Sequence, residues 1–74
     1  MWRINKKRLR ANIMDAVGDR TNKEISEEGE ISAGTVSAMI CGQKVPTLVT
    51  LLKLSMVTGV DMNELTKGVL KWKE

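Results

Sequence analysis

The chain of 74 residues predicts an all-α fold, a compact bundle of five helices. Three observations predict it. Apolar residues recur at helical spacing in successive segments. The cap-type residues Asn5, Thr21, Ser32, Thr47 and Asp61 each stand at the head of such a segment, and Gly18, Gly29, Gly42, Gly59 and Gly68 follow as stops. Short connections between the segments suit helices that pack on their neighbours, and no pair of strands is read. A chain this short buries only about 60% of its unfolded surface, so it makes one domain over 1–74. Within it a basic N-terminal arm covers 1–5, the core 6–66 and a tail 67–74.

Asn5 caps the first helix, in which Leu9, Ile13 and Ala16/Val17 form an inward stripe ending near Gly18. Thr21 caps a short second helix through Glu28; with Glu24 three residues on it makes a capping box, and Gly29 is read as the break. Ser32 caps a third helix through about Ile40, with Val36, Met39 and Ile40 as apolar contacts, Gly42 as the stop, and very small residues on its outer face. After the loop Gln43-Lys44-Val45-Pro46, Thr47 caps a fourth helix containing Leu48, Val49, Leu51, Leu52, Leu54, Met56 and Val57, closed by Gly59. Apolar residues cover most of its circumference, so it is read as the central, buried helix. Asp61 with Glu64 makes a second capping box and starts a fifth helix at Met62 that carries Leu65 and is ended or bent by Gly68. The tail Val69-Leu70-Lys71-Trp72-Lys73-Glu74 is open between a frayed helix end, an edge strand and a partner-docking segment.

Composition narrows the function classes. At 42% hydrophobic and 28% charged, with one Pro and six Gly, the chain is neither disordered, collagen-like nor of low complexity. With 3% aromatic residues, aliphatic side chains and five Met must fill the core. There is no His or Tyr and only Cys41, so the usual general base and the His/Cys clusters that hold zinc are missing; no enzyme activity, metal or cofactor is expected. Cys41, with no second Cys to pair, suits a reducing cytoplasm and is read as a semi-buried helix-end residue. No run approaches the roughly 18 apolar residues of a membrane helix, and the apolar stretch after the basic start is too short for a signal peptide, so a cytoplasmic protein without membrane contact is expected.

The net charge of +3 is unevenly spread. Residues 1–23 hold seven cations against Asp15 and Asp19, whereas 24–30 hold Glu24, Glu27, Glu28 and Glu30 and no cation. Residues 31–60 then carry Lys44 and Lys53 and no acid. A basic start followed by an acid-free stretch suits a polyanion, because each Lys or Arg placed on a phosphate releases counterions. A solvated helix face has the same composition, so charge alone leaves both readings open.

The second and third helices, separated by a three-residue turn and joined by Ile25, Ile31, Val36 and Met39, have the layout of a helix-turn-helix. The runs Thr21-Asn22-Lys23-Glu24-Ile25-Ser26, Ile31-Ser32-Ala33-Gly34-Thr35-Val36-Ser37, Gly42-Gln43-Lys44-Val45-Pro46-Thr47-Leu48, Thr50-Leu51-Leu52-Lys53-Leu54 and Gly59-Val60-Asp61-Met62-Asn63-Glu64-Leu65 resemble the Cro/lambda-repressor-like (XRE) DNA-binding family. The register holds without a gap over 21–65, and with the first helix the likeness covers nearly the whole chain. A capped helix-turn-helix alone is a weak signal. The Thr-Val-Ser step, the Gly-x-x-x-Pro loop and the Leu-Leu-Lys-Leu helix in this order are together a strong one.

The resemblance implies a five-helix domain that sets its third helix in the major groove, usually as a dimer on a two-fold operator. The function it implies is that of a sequence-specific transcriptional regulator on double-stranded DNA, a small repressor by analogy with stand-alone members from phages and mobile elements. Carried over by position, Ser32, Ala33, Gly34, Ser37 and Ala38 face the base edges. Asn22 binds a phosphate at the start of the second helix, and Thr35, Gln43 and Lys44 hold the backbone across the groove. Members commonly have an acid at Ile40 that pairs with an Arg of the first helix; its loss leaves Arg10 free for phosphate or solvent. Ser26 stands where members have Ala, and Glu30 where they have Gly, with the Gly one place earlier at Gly29, so a turn of different shape is expected.

The third helix departs from the family in its outer face, which offers two hydroxyls and no Arg, Lys, Asn or Gln for bidentate base readout. Three readings stand side by side. In one, small residues let the helix lie deep in the groove, Ala33 and Ala38 touch thymine methyls, and DNA shape supplies much of the selectivity. In the second, the face with Met39 and Cys41 nearby packs on a protein partner, as in an antirepressor or accessory subunit. In the third it is plain helix surface, against which Gly34 weighs, since a helix-interior Gly costs about 1 kcal/mol relative to Ala. Arg3, Lys6, Lys7 and Arg8 are candidates for an arm along the DNA backbone, and Trp2 is read as covering the core. Val49 and Met56, with Val69, Leu70 and Trp72 of the tail, are the candidate seam of a homodimer or else caps on the core.

Overall fold

Every helix of the chain begins where a side chain can accept from its otherwise unpaired first amides. The computed structural model describes residues 1–72, so Lys73 and Glu74 of the tail lie outside the described residues. In chain order the elements are β1 (Trp2–Ile4), α1 (Lys6–Val17), α2 (Asn22–Gly29), α3 (Ala33–Ile40), α4 (Leu48–Thr58), α5 (Met62–Leu65) and β2 (Leu70–Trp72). Asn5 Oδ1 accepts from the Arg8 amide, Thr21 Oγ1 from Glu24, Ser32 Oγ from Thr35, Thr47 Oγ1 from Thr50 and Asp61 Oδ1 from Asn63. All of the caps expected from sequence are in place. No described helix is long and apolar enough to cross a membrane.

The helices form a small bundle in which α2 packs on α3 and α4, α5 on α1 and α4, and α1 on α3. Leu9, Ile13 and Val17 of α1 meet Ile25, Ile31, Val36, Met39, Leu51, Leu54 and Val69 in one apolar cluster, with Ile40, Val57 and Met62 packed against it. The central position expected of the fourth helix is not observed. Only Leu51 and Leu54 of α4 are buried, while Leu48, Val49, Leu52 and Met56 are exposed. With α2 and α5 as its neighbours, α4 buries one narrow stripe, and the rest of its apolar circumference faces outward.

The chain ends also depart from expectation. Of the alternatives open for the tail the strand is the one formed, and the basic arm is its partner: β1 and β2 pair antiparallel in the register Trp2↔Trp72, Arg3↔Lys71 and Ile4↔Leu70. The bundle therefore carries a two-stranded ribbon that an all-α reading lacks. The Asn5 amide donates to the Val69 carbonyl at 2.6 Å and continues the ladder toward the bundle. Trp2 does not cover the core, and Trp72 does not fold back on it. Both are mostly exposed and pack edge-on against each other with ring centroids 5.3 Å apart. Val69, by contrast, is a core residue and cannot belong to a dimer seam. Cys41 is exposed rather than semi-buried.

The turn between α2 and α3 shows why Gly29 and Glu30 stand as they do. Gly29 does not break α2 but ends it inside the helix, where an added Cβ would lie 3.1 Å from both Ile31 Cδ1 and Val57 Cγ2. The break falls on Glu30, whose φ of 53° is left-handed. Its amide and that of Ile31 both donate to the Ser26 carbonyl, and Ser26 Oγ donates to the Ile31 carbonyl. The end of α4 repeats the arrangement: the Gly59 amide donates to the Ser55 carbonyl, and Ser55 Oγ donates to the Val60 carbonyl at 2.6 Å. There the left-handed residue is a glycine, Gly59, with φ 73°.

Glu30 therefore carries a Cβ where its counterpart has none, and an acid at a helix C-terminus, where the dipole disfavours it. Glu30→Gly is expected to stabilise the fold by about 1 kcal/mol and raise Tm by roughly 4–8 °C, measured by thermal and urea unfolding. Gly29→Ala, one residue earlier, should destabilise it by about 1–3 kcal/mol through overpacking against Ile31 and Val57.

Candidate nucleic-acid interface

Burial of Val36 and Met39 turns the opposite side of α3 outward by helical periodicity. Ser32, Ala33, Gly34 and Ser37 are exposed on that side, and Thr35 and Ala38 are half-buried at its borders. The Ser32 and Thr35 hydroxyls lie 2.7 Å apart and share the N-terminal cap of the helix. Ser32 and Thr35 thus have structural work that any external contact must accommodate. A Cβ added at Gly34 would meet nothing within 4 Å, so packing within the chain does not require this glycine.

The far end of α3 is tied down by the following loop and by α1. The Gln43 and Lys44 amides both donate to the Ala38 carbonyl, at 2.9 and 3.3 Å, which wraps the loop over the last turn. Gly42 makes the reversal with φ 78°, and a Cβ there would lie 3.2 Å from Arg10 Cδ. Arg10 is not left free by the absence of an acid at position 40. Its Nε donates to the Ile40 carbonyl at 2.7 Å, placing a cation on the helix C-terminus where the dipole favours it. Lys6, one turn earlier on α1, lines a cleft with Arg10, Gly42, Lys44 and Pro46. This assembles three cations beside the loop, although the sequence suggested only two of them for this place.

Asn22 opens α2. It is exposed and lines a second cleft with Arg20, Met14, Val17 and Ile40. The end of α3 thus has Lys6, Arg10 and Lys44 at one cleft, and Asn22 and Arg20 at another that reaches Ile40. Lys53, the remaining cation of the acid-free stretch, is used elsewhere: its Nζ donates to the Glu30 carbonyl at 3.3 Å. Of the residues assigned to duplex contact, those of α3 together with Gln43, Lys44 and Arg10 are brought together at α3 and its loop. The proposed seam residues are not, since Val49 and Met56 lie on α4, which packs on α2 and α5, while Leu70 and Trp72 lie on a strand paired with β1.

Lys6, expected in an arm along the DNA backbone, instead stands beside Arg10 and Lys44, and Arg20 was missed as a companion of Asn22. Lys6 had a signal, the four-residue spacing to Arg10 on one helix edge; Arg20 had none beyond standing next to the Thr21 cap. Arg10→Met keeps the stem that packs under Gly42 and removes the hydrogen bond to Ile40. It should cost about 1 kcal/mol in urea unfolding, whereas Lys6→Met should cost less than about 0.5 kcal/mol. No family model, curated protein or solved structure matches the chain.

Proposed function

We propose that the chain is a sequence-specific regulator of transcription on double-stranded DNA, a small repressor in which α2 and α3 act as a helix-turn-helix of the Cro/lambda-repressor-like kind. The observation that carries the reading is the exposed small-residue strip of α3, with Gln43 and Lys44 folded back on its last turn. No acid occurs anywhere from 31 to 60, so nothing on α3 or its loop opposes a phosphate backbone. A partner of another kind would not need that absence.

On this reading α3 lies in the major groove. The bare Gly34 and the methyl of Ala33 permit close approach, Ala33 and Ala38 touch thymine methyls, and Ser32 and Ser37 offer single hydroxyl contacts. Asn22 and the first amides of α2 take one phosphate strand; Gln43 and Lys44, with Arg10 and Lys6 behind them, take the other. Without a bidentate side chain on the strip, much of the discrimination comes from DNA shape and deformability. One such helix gives modest affinity, so the protein acts as a dimer on a palindromic site. A second reading, a protein-binding module, draws on the exposed Leu48, Val49, Leu52 and Met56 of α4 and on the small α3 surface.

The test is selection of binding sites from random duplex DNA, followed by anisotropy on the winning duplex at several salt concentrations. A recovered palindrome with a steep salt slope is expected; no enrichment, with only weak salt-sensitive binding, would overturn the reading in favour of a protein partner. Lys44→Ala should weaken binding to all duplexes alike and lower the salt slope by about one, and Asn22→Ala should also weaken all of them. Gly34→Ala separates binding from folding. It should stabilise α3 by about 1 kcal/mol, because nothing occupies the added methyl's place, yet weaken the selected site by about tenfold if the helix approaches closely.

A further inference from the structure

The terminal ribbon places all of its apolar side chains on one face. Trp2 and Trp72 are cross-strand partners in ring contact, and Ile4 and Leu70, two residues away on each strand, share their face by strand alternation. Arg3 and Lys71, the intervening pair, lie on the other face. The apolar face is turned away from the bundle: Val69 is buried, whereas Leu70 next to it is 57% exposed, Trp2 61%, Ile4 55% and Trp72 59%. A two-stranded ribbon in water is marginal unless a helix or another layer covers its apolar face, and here no strand residue is buried. The exposed stripe on α4 poses no such difficulty, because α4 is already held by Leu51 and Leu54.

The geometry points to a second copy of this chain as the cover, with the Trp2–Ile4–Leu70–Trp72 faces of two ribbons stacked across a two-fold axis. Charge favours this occupant. The face carries no ionisable side chain, so self-pairing buries no charge and leaves Arg3 and Lys71 of each copy on the outside, apart from their counterparts. Edge-to-edge pairing into a longer sheet would leave the aromatic face wet, whereas face-to-face packing covers it. At the observed exposures the four side chains present roughly 500 Å² per copy, or about 1,000 Å² over both, the lower bound of a specific interface. The seam is that of a weak, reversible dimer. It supplies the interface for the dimer proposed above but needs no DNA to form, so the two readings can fail separately.

The chain reports on this surface by itself, since Trp2 and Trp72 are its only aromatic residues. Sedimentation of the full chain without DNA, over about 1–200 μM, should show a monomer–dimer equilibrium. Tryptophan emission should move to shorter wavelength in step with the dimer fraction. Leu70→Glu and Leu70→Lys should each weaken dimerisation at least about tenfold through like charges at the seam, with helical circular dichroism unchanged. An equimolar mixture of the two variants should regain the dimer, which a merely unfolded ribbon would not. Met56→Glu, on α4, should leave the dimer intact. A chain that stays monomeric to 200 μM overturns the proposal, as does a dimer that survives Leu70→Glu or is broken by Met56→Glu.

Discussion

The buried edge of α1 is the constraint from which the rest of the structure is arranged. Leu9, Ile13 and Val17 form the inward stripe, and their burial decides which way each neighbouring edge looks. On one side Arg10 reaches the Ile40 carbonyl and shares a cleft with Lys6 and Lys44, fixing the end of α3 and its loop. On the other side Arg8 Nε donates to the Lys67 carbonyl, and Asn12 Nδ2 donates to the carbonyls of Leu65 and Lys67, at 3.0 and 2.9 Å. That second set holds the segment after α5, and with Asn5 on Val69 it brings the two ends of the chain together as a ribbon. One helix thereby holds both the end of α3 and the segment that leads into β2.

The two serine-closed turns show how a short chain ends helices abruptly without losing hydrogen bonds. In each, a serine four residues before the left-handed position lends its carbonyl to the turn amide and its hydroxyl to the carbonyl beyond. The α4 turn uses Gly59, which adopts positive φ without penalty, whereas the α2 turn uses Glu30. The glycine of that turn is consumed one place earlier by the close approach of Ile31 and Val57 to Gly29. Lys53 offers partial compensation by donating to the Glu30 carbonyl, which places a cation at the end of α2. The strain is local, but it sits between α2 and α3 and bears on how the two helices pack on each other.

The exposed strip of α3 is rigidly presented though its residues are small. Hydroxyls of Ser32 and Thr35 close its start, the loop amides of Gln43 and Lys44 close its end on Ala38, and Val36 and Met39 anchor it from beneath. A face built this way offers shape rather than a pattern of long donors. The ribbon is its opposite in chemistry, with two tryptophans, an isoleucine and a leucine on one side. The polar, acid-free strip and the apolar aromatic face are thus built on separate elements of the chain.

What the sequence by itself determined is the local structure: the five helices, their caps and, for α1 and α3, their outward and inward faces. The physical reason is range. A cap hydrogen bond spans two or three residues and a helical stripe spans four, so Asn5, Thr21, Ser32, Thr47 and Asp61 declare themselves from their immediate neighbours. The outward placement of Ser32, Ala33, Gly34 and Ser37 follows from the same periodicity. Tertiary structure alone decided which apolar residues of α4 are buried, since the choice between Leu51 and Leu52 depends on where α2 and α5 lie. It also decided that Arg10 caps α3, that Glu30 rather than Gly29 takes the left-handed turn, and that Val69 enters the core while Leu70 does not. The ribbon lay furthest from view. Trp2 and Trp72 pair only because α1 and the chain after α5 are clamped side by side, a contact across nearly the whole sequence that no short-range pattern encodes.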